Sequence, residues 1–278
     1  MLLAVLLAVL PAPIVEGRVG EPSGAGAAGA QVTLTQDGRT QVIRTGGQGE
    51  FRFRAFGGPG SISVVLPQGW AHDGAATVSF EARSGTGFRT EFAARARRVL
   101  RGRLVIEGAP FGDVDVQAGG IRAHTDAQGA FVADGLPAGK VAVATEWLSG
   151  WAEMPAGPGQ VTADVALEAP SLVDLKLRAL PQPPAVQGVA NWLEGKPLTD
   201  GESADIERLV ALVNLAPPLR LVMVAPPKTV AAAARAALVL QRYLTGPFLV
   251  PRERIAFAVG EVAPAGFLAL VLMRPEAE

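Results

Sequence analysis

The residues able to do chemistry in this chain are few and scattered. His72 and His124 are its only histidines. Neither belongs to an H-x-x-E or H-E-x-x-H arrangement, and their separation gives no metal spacing, so both are expected at surface or turn positions. The chain has no cysteine, which excludes a disulfide, a thiolate zinc site, a cysteine nucleophile and a cysteine-borne lipid. No G-x-S-x-G elbow presents a serine nucleophile. The carboxylate pairs Asp113/Asp115 and Asp200/Glu202 have the residue types for acid and base work. On a strand and a turn, however, they are more simply solvent-facing. Gly24-Ala25-Gly26-Ala27-Ala28-Gly29 spells G-x-G-x-x-G, but a strand rather than a helix follows, so it reads as a small-residue loop. Gly135-Leu136-Pro137-Ala138-Gly139-Lys140 lacks the spacing and the Ser or Thr of a phosphate loop and reads as a turn.

Two further sets of residues suit binding rather than catalysis. Trp70, Trp147, Trp151 and Trp192 can form a sugar-stacking platform, but Trp70 and Trp151 recur at the same place in two related segments, which predicts a packing role for both. Lys228 stands just before a helix start at Thr229, with Arg235 about two turns further on. A cation, free amides and the helix dipole together suit a carboxylate. Lys228 and Arg235 are therefore the candidate ligand-binding residues. No catalytic, cofactor-binding or metal-ligating residue is nominated, and no cofactor is expected.

Composition narrows the partners. The 25 basic residues balance 26 acidic ones, for a net charge of -1, so no excess charge calls for nucleic acid or an anionic membrane. Such a surface suits protein or glycan contacts. With 33 Gly, 22 Pro and only 6% aromatic residues, many turns and short strands are expected. A length of 278 residues is more than one typical domain of roughly 100–150 residues. The apolar run from Leu2 to Leu10 before Pro11-Ala12-Pro13 is too short to span a bilayer and has the length of a signal-peptide core. Residues 1–12 are read as a secretion signal, leaving no transmembrane segment in the mature chain.

An internal duplication organises the first 170 residues. Thr45-Gly46-Gly47-Gln48-Gly49-Glu50-Phe51 returns as Thr125-Asp126-Ala127-Gln128-Gly129-Ala130-Phe131, and Gly69-Trp70 as Gly150-Trp151, at offsets close to 80 residues. A repeat that long is a domain. The starts correspond too, Val15-Glu16-Gly17-Arg18-Val19 with Leu100-Arg101-Gly102-Arg103-Leu104. Alternating segments such as Gln31 to Thr35, Phe51 to Arg54 and Asp113 to Val116 predict half-buried strands, separated by glycine turns. Two β-sandwiches follow, over 13–98 and 99–170, and Asp126 is expected to cap its own turn.

The order Gly-x-Val, small-residue strand, Thr-Asp-x-x-Gly-x-Phe and Leu-Pro-Ala-Gly resembles the carboxypeptidase regulatory-like, or transthyretin-like, domain family. The second copy carries it in Thr125 to Phe131 and Gly135 to Gly139, while the first has Gly46 for the aspartate. The resemblance implies spacer, stabilising or adhesion modules and carries no peptidase with it.

After Pro170 the pattern changes. Ser171 to Leu180 is strand-like, and Pro181-Gln182-Pro183-Pro184 is a stiff linker within 171–184. Ile206, Leu209, Val210 and Val213 predict a helix over Ser203 to Asn214. Strands are expected over Leu219 to Val224, Arg254 to Val259 and Phe267 to Met273. Between the first two lies an Ala-rich helix, Val230 to Leu244, with Thr229 as N-cap and Gly246 as stop. This βαβαββ order over 185–278, with Arg235-Ala236, Tyr243-Leu244 and Val250-Pro251-Arg252-Glu253-Arg254-Ile255, resembles the OmpA-like C-terminal domain. That family grips a peptidoglycan stem carboxylate with a Gly-x-Thr-Asp loop and a helix arginine. Here the loop reads Ala225-Pro226-Pro227-Lys228, without the aspartate.

The expected fold is mainly β plus α+β: two tandem Ig/transthyretin-like β-sandwiches and a C-terminal βαβαββ domain. The expected function is a non-enzymatic structural or interaction protein, periplasmic or outer-membrane associated, with envelope proteins as partners. Edge strands and the Phe248-Leu249-Val250 stretch are its candidate contact surfaces. The alternatives are a peptidoglycan-binding module using Lys228 and Arg235, and an accessory part of a secreted enzyme.

Overall fold

A computed structural model describes residues 12–22, 24–82, 86–180, 185–186, 199–260 and 268–276. The signal core up to residue 11, the 181–184 linker, Trp192 and Phe267 lie outside the described residues. The chain divides into two compact units. The first comprises Met1–Arg101, Val132–Val141 and Glu153–Thr162; the second comprises Gly102–Phe131, Ala142–Ala152 and Ala163–Glu278.

In the first unit, β1 (Ile14–Gly20), β2 (Gln31–Gln36), β3 (Arg39–Arg44), β4 (Glu50–Arg54), β5 (Gly58–Val65), β6 (Trp70–His72), β7 (Thr77–Ala82) and β8 (Phe88–Ala96) form two sheets. Their orders are β4-β1-β8-β6 and β3-β2-β5-β7. Period-two alternation sends Val15, Val32, Leu34, Phe51, Phe53, Ile62, Phe80 and Phe92 into a shared core. The outer faces differ in chemistry. On the first sheet Glu16 lies opposite Arg52 and Arg89, and Arg18 opposite Glu50 and Glu91, an alternation of sign that favours this register. On the second, Thr35 lies opposite Thr40 and Ser61, and Thr33 opposite Ser63.

The second repeat contributes β9 (Arg98–Ile106), β10 (Ala109–Pro110), β11 (Asp115–Ala118), β12 (Ile121–His124), β13 (Ala130–Asp134), β14 (Gly139–Ala144), β15 (Ser149–Met154) and β16 (Gly159–Ala166). The orders β12-β11-β14 and β13-β9-β16 repeat β3-β2-β5 and β4-β1-β8. The sequence duplication is thus a duplication of topology, and the chain is mainly β as expected.

The repeated Thr-x-x-x-Gly-x-Phe turn has a common mechanism. The Thr125 hydroxyl, buried with its residue, accepts from the Val114 amide at 3.0 Å and donates to the Val114 carbonyl. Thr45 does the same with the Ala30 amide and the Ala27 carbonyl. Asp126 caps its turn as expected, its Oδ1 accepting from the amides of Gln128 and Ala130 at 3.0 and 2.8 Å. In the first repeat, where Gly46 replaces the aspartate, Glu50 reaches back so that its Oε2 accepts from the Gln48 amide at 2.8 Å. A Cβ on Gly46 would stand 2.1 Å from Glu50 Oε1, so the glycine and the glutamate belong together. Asp126→Ala or Glu50→Ala is expected to cost about 1 kcal/mol each. Adding Gly46→Asp to Glu50→Ala should recover most of that loss in urea unfolding, and no recovery would show the two turns not to be equivalent.

The C-terminal part of the second unit runs β17 (Leu177–Ala179), β18 (Ala185–Val186), α1 (Asp200–Leu215), β19 (Arg220–Ala225), α2 (Val230–Thr245), β20 (Ile255–Val259) and β21 (Ala269–Pro275). From β18 onward this is βαβαββ. The sheet order is β17-β21-β19-β20, with β18 also paired to β21; β19 and β20 are parallel, and the β21 pairings are antiparallel. The four apolar residues that predict α1 are its buried ones. The helix begins earlier than periodicity suggests because Thr199 and Glu202 form a capping box. Glu202 therefore has a structural task rather than a merely solvent-facing one, and its bonds to Thr199 hold its carboxyl below the ordinary value. The strand expected over 171–180 is shorter: Ser171 makes a single bridge to Val259, Asp174 accepts from the amide and hydroxyl of Ser171, Lys176 has φ 49°, and the strand itself is Leu177–Ala179.

Candidate functional site

Lys228 is exposed, in a 3-10 turn over Pro227–Thr229 that leads into α2. Thr229 occupies the expected N-cap position but makes no side-chain capping bond; its hydroxyl donates to the Pro226 carbonyl at 3.4 Å. Arg235 is exposed on α2, and its guanidinium donates to the Pro110 carbonyl at 2.6 Å. In this arrangement the arginine serves a carbonyl within the second unit.

A second group of polar side chains, which the sequence did not nominate, lies elsewhere in that unit. A cleft of about 330 Å³ is lined by Asp113, Asp115, His124, Glu146, Gln241 and Arg252, among others. Glu146 is its organising group: Oε1 accepts from Gln241 Nε2 at 2.9 Å and Oε2 from Arg252 at 2.7 Å. Gln241 is buried, on the same helix as buried Ala237, Leu240 and Leu244. A polar residue within an apolar helical stripe was the available sequence signal for this cleft. His124 Nδ1 lies 2.8 Å from Asp115 Oδ1, because β11 and β12 place the two residues opposite each other. Their side chains are 64% and 96% exposed. Acid–base work needs groups held against a substrate and shielded from water, and this pair is open to solvent. Both histidines are exposed, as expected.

The glycine-rich loop is structural. Gly26 packs so closely that a Cβ would stand 2.0 Å from the Gln48 carbonyl carbon. Arg18 fills the loop, donating to the carbonyls of Gln48, Glu21 and Gly24 at 3.0, 2.9 and 2.5 Å. A guanidinium thus sits against the carbonyl side of the loop.

The tryptophans separate. Trp70 packs against the first core, as expected. Trp151 does not take the equivalent place and is 57% exposed. In β15 the inward positions go to Gly150, Ala152 and Met154, and a Cβ on Gly150 would stand 2.2 Å from the Ala166 carbonyl oxygen. The strand therefore turns its glycine inward, and the pleat sends Trp151 outward. Trp147 stacks on Phe257, with ring centroids 5.9 Å apart. Of the Phe248-Leu249-Val250 stretch only Leu249 is widely exposed, at 77%. Val250 is buried and Phe248 packs edge-on against Tyr243.

No protein-family model matches the chain, and no curated protein matches it. Solved structures similar to it include the following three. The Bacillus anthracis TIE protein shares 14% identity, covering 63% of this chain and 38% of that one, with a TM-score of 0.31. A streptococcal ancillary pilin shares 10%, covering 57% and 63%, with a TM-score of 0.27. A DUF3823 family protein from Bacteroides ovatus shares 11%, covering 51% and 91%, with a TM-score of 0.25. The chain spans less than two thirds of the first two, and at these TM-scores the likeness carries no argument about what it does.

Proposed function

We propose that the chain is a non-enzymatic structural or interaction protein of a bacterial envelope, in which β-sandwich repeats act as spacers for the C-terminal OmpA-like domain and meet protein partners through their surfaces. The observation that carries this reading is Arg98. Among the described residues it is the most buried charged one, 2% exposed, and it is invested in a joint rather than a cleft. Its guanidinium forms a two-point pair with Glu21, at 2.9 and 2.7 Å, and donates to the carbonyls of Pro155, Leu136 and Ala156. Glu21 belongs to the first repeat and the three carbonyls to the second, all within the first compact unit. Next to it, Arg97 pairs with Asp134 at 2.5 Å. A chain that commits its most costly charge to stiffening a junction behaves as a spacer.

Fractionation of cells carrying a tagged chain tests this. The expected result is an exported protein, shortened at its N-terminus, recovered from the envelope in cross-linked species heavier than one chain. A cytosolic protein that stays a free monomer after cross-linking would sink the reading. Binding to purified peptidoglycan is expected to be unsaturable, because Arg235 already serves the Pro110 carbonyl. Saturable, salt-sensitive binding that Lys228→Ala/Arg235→Ala abolishes would instead establish the cell-wall alternative.

A further inference from the structure

We infer that the first sandwich joins a second copy of this chain head to tail, the β3 edge of one copy adding to the β7 edge of the next. This deepens the reading of an interaction protein and rests on it. Strands β3 and β7 are the two ends of one sheet, β3-β2-β5-β7, and each is six residues long. The Thr45 amide donates to the Ala30 carbonyl at 2.9 Å. Antiparallel alternation then turns the main chain of Gln41 and Ile43 toward β2, and that of Thr40, Val42 and Arg44 away from the sheet. The Val64 amide donates to the Ala76 carbonyl at 2.9 Å, which in the same way leaves Thr77, Ser79 and Glu81 facing outward from β7. Among the described residues no recorded bond uses these outward main-chain groups. Two rows of unmet donors and acceptors at opposite ends of one sheet are a template for strand addition.

Three properties select a second copy with unlike edges meeting. Direction is the first. Every neighbour in β3-β2-β5-β7 is antiparallel, so β7 and β3 run oppositely, and a copy in the same orientation brings β3 antiparallel to β7 with the ladder unbroken. The second is charge: β3 carries Arg39 and Arg44 and no acid, while β7 carries Glu81 alone. Like edges repel and unlike edges attract. The third is apolar continuity. Full overlap with the outward groups paired sets Val42 against Ser79 and Thr40 against Glu81. It also sets Ile43 against Val78, both half-buried residues that pack on the first core, so the core would extend across the joint. Val42, 53% exposed on the edge, would be covered in the same step. Because the two edges are different surfaces, the contact is heterologous and open-ended.

Sedimentation velocity on the full chain over a concentration series tests this, with Val42→Pro and Ser79→Pro as blocking variants. Each proline removes a donor that points away from its own sheet, so the native ladder is kept; Val42→Lys and Ser79→Lys repeat the test with the backbone untouched. The wild type is expected to form open-ended species, and each variant alone to associate about tenfold more weakly or worse. An equimolar mixture of the β3-blocked and β7-blocked chains is expected to stop at the dimer, since only one competent joint remains. A wild type that stays monomeric, a single variant that still associates fully, or a mixture that stays monomeric would each overturn the inference. A monomer in this assay leaves envelope cross-linking to other proteins untouched, so the two readings fail separately.

Discussion

Glu21→Ala is expected to destabilise the first compact unit by about 3–5 kcal/mol, measured as a lower midpoint in urea at neutral pH. The substitution strands the Arg98 guanidinium, 2% exposed, among carbonyls that cannot neutralise it. Removing both charges, as Glu21→Met/Arg98→Met, would be close to neutral for a simple buried pair. Here it is expected to remain destabilising, because the carbonyls of Pro155, Leu136 and Ala156 lose their donor, and the buried Leu136 acceptor left unmet costs about 1–3 kcal/mol. A fully stable double variant would show that the joint is held by packing alone. The pair also sets a pH dependence. The hydrogen bonds and charge of Arg98 lower the pKa of Glu21 from its ordinary 4.5, against the opposing effect of burial. A carboxyl whose folded pKa is depressed gives stability that is fully present above 4.5 and is lost as pH falls through the lower folded value. Acid should therefore weaken the wild type more than Glu21→Gln, and equal acid sensitivity would remove Glu21 from the account.

Gly17→Ala is expected to cost about 3 kcal/mol or more, near the upper end for forcing an extra methyl into a packed core. An added Cβ would stand 1.9 Å from the Thr90 carbonyl oxygen, which belongs to β8, paired with β1 along its length. That oxygen can retreat only by breaking the pairing. Gly102→Ala, at the matching place in the second repeat, meets a different obstacle: the ring of Phe131, at 2.3 and 2.4 Å. A side chain can be shortened where a backbone cannot. Adding Phe131→Leu is therefore expected to recover part of the Gly102→Ala loss in thermal or urea melts. Phe51→Leu is expected to recover little of the Gly17→Ala loss, since the Thr90 oxygen remains. Equal rescue in both repeats would contradict this assignment.

These glycines also explain the signature read from the sequence. Gly-x-Val in the first repeat and Gly-x-Leu in the second each come with a Gly-x-Phe because the phenylalanine of the second element packs over the glycine of the first, Phe51 over Gly17 and Phe131 over Gly102. The spacing shows that the two elements are coupled, and the contact shows why. The Thr45 and Thr125 hydroxyls, which tie each turn to the chain entering β2 and β11, are legible only as repeated letters until the structure supplies their partners.

Most of what local periodicity and turn chemistry govern was legible in the sequence, though the Thr199–Glu202 capping box and the Ser171–Asp174 turn were not. Alternation marked the strands, Ile206, Leu209, Val210 and Val213 marked α1, glycines marked the turns, and the duplication near 80 residues marked the repeated topology. Tertiary structure decided whatever depends on partners distant in sequence. Arg98 meets Glu21 across 77 positions, Arg252 meets Glu146 across 106 and Arg235 meets Pro110 across 125. The same letters would fit a solvated arginine in each case. Trp151 shows the reason. Its repeat partner Trp70 packs on a core, but the close approach of Ala166 to Gly150 sets the phase of β15, and with it the face each side chain takes. Strand phase and charge partners follow from packing the whole unit, because burial and desolvation are properties of the assembled chain and not of a window along it.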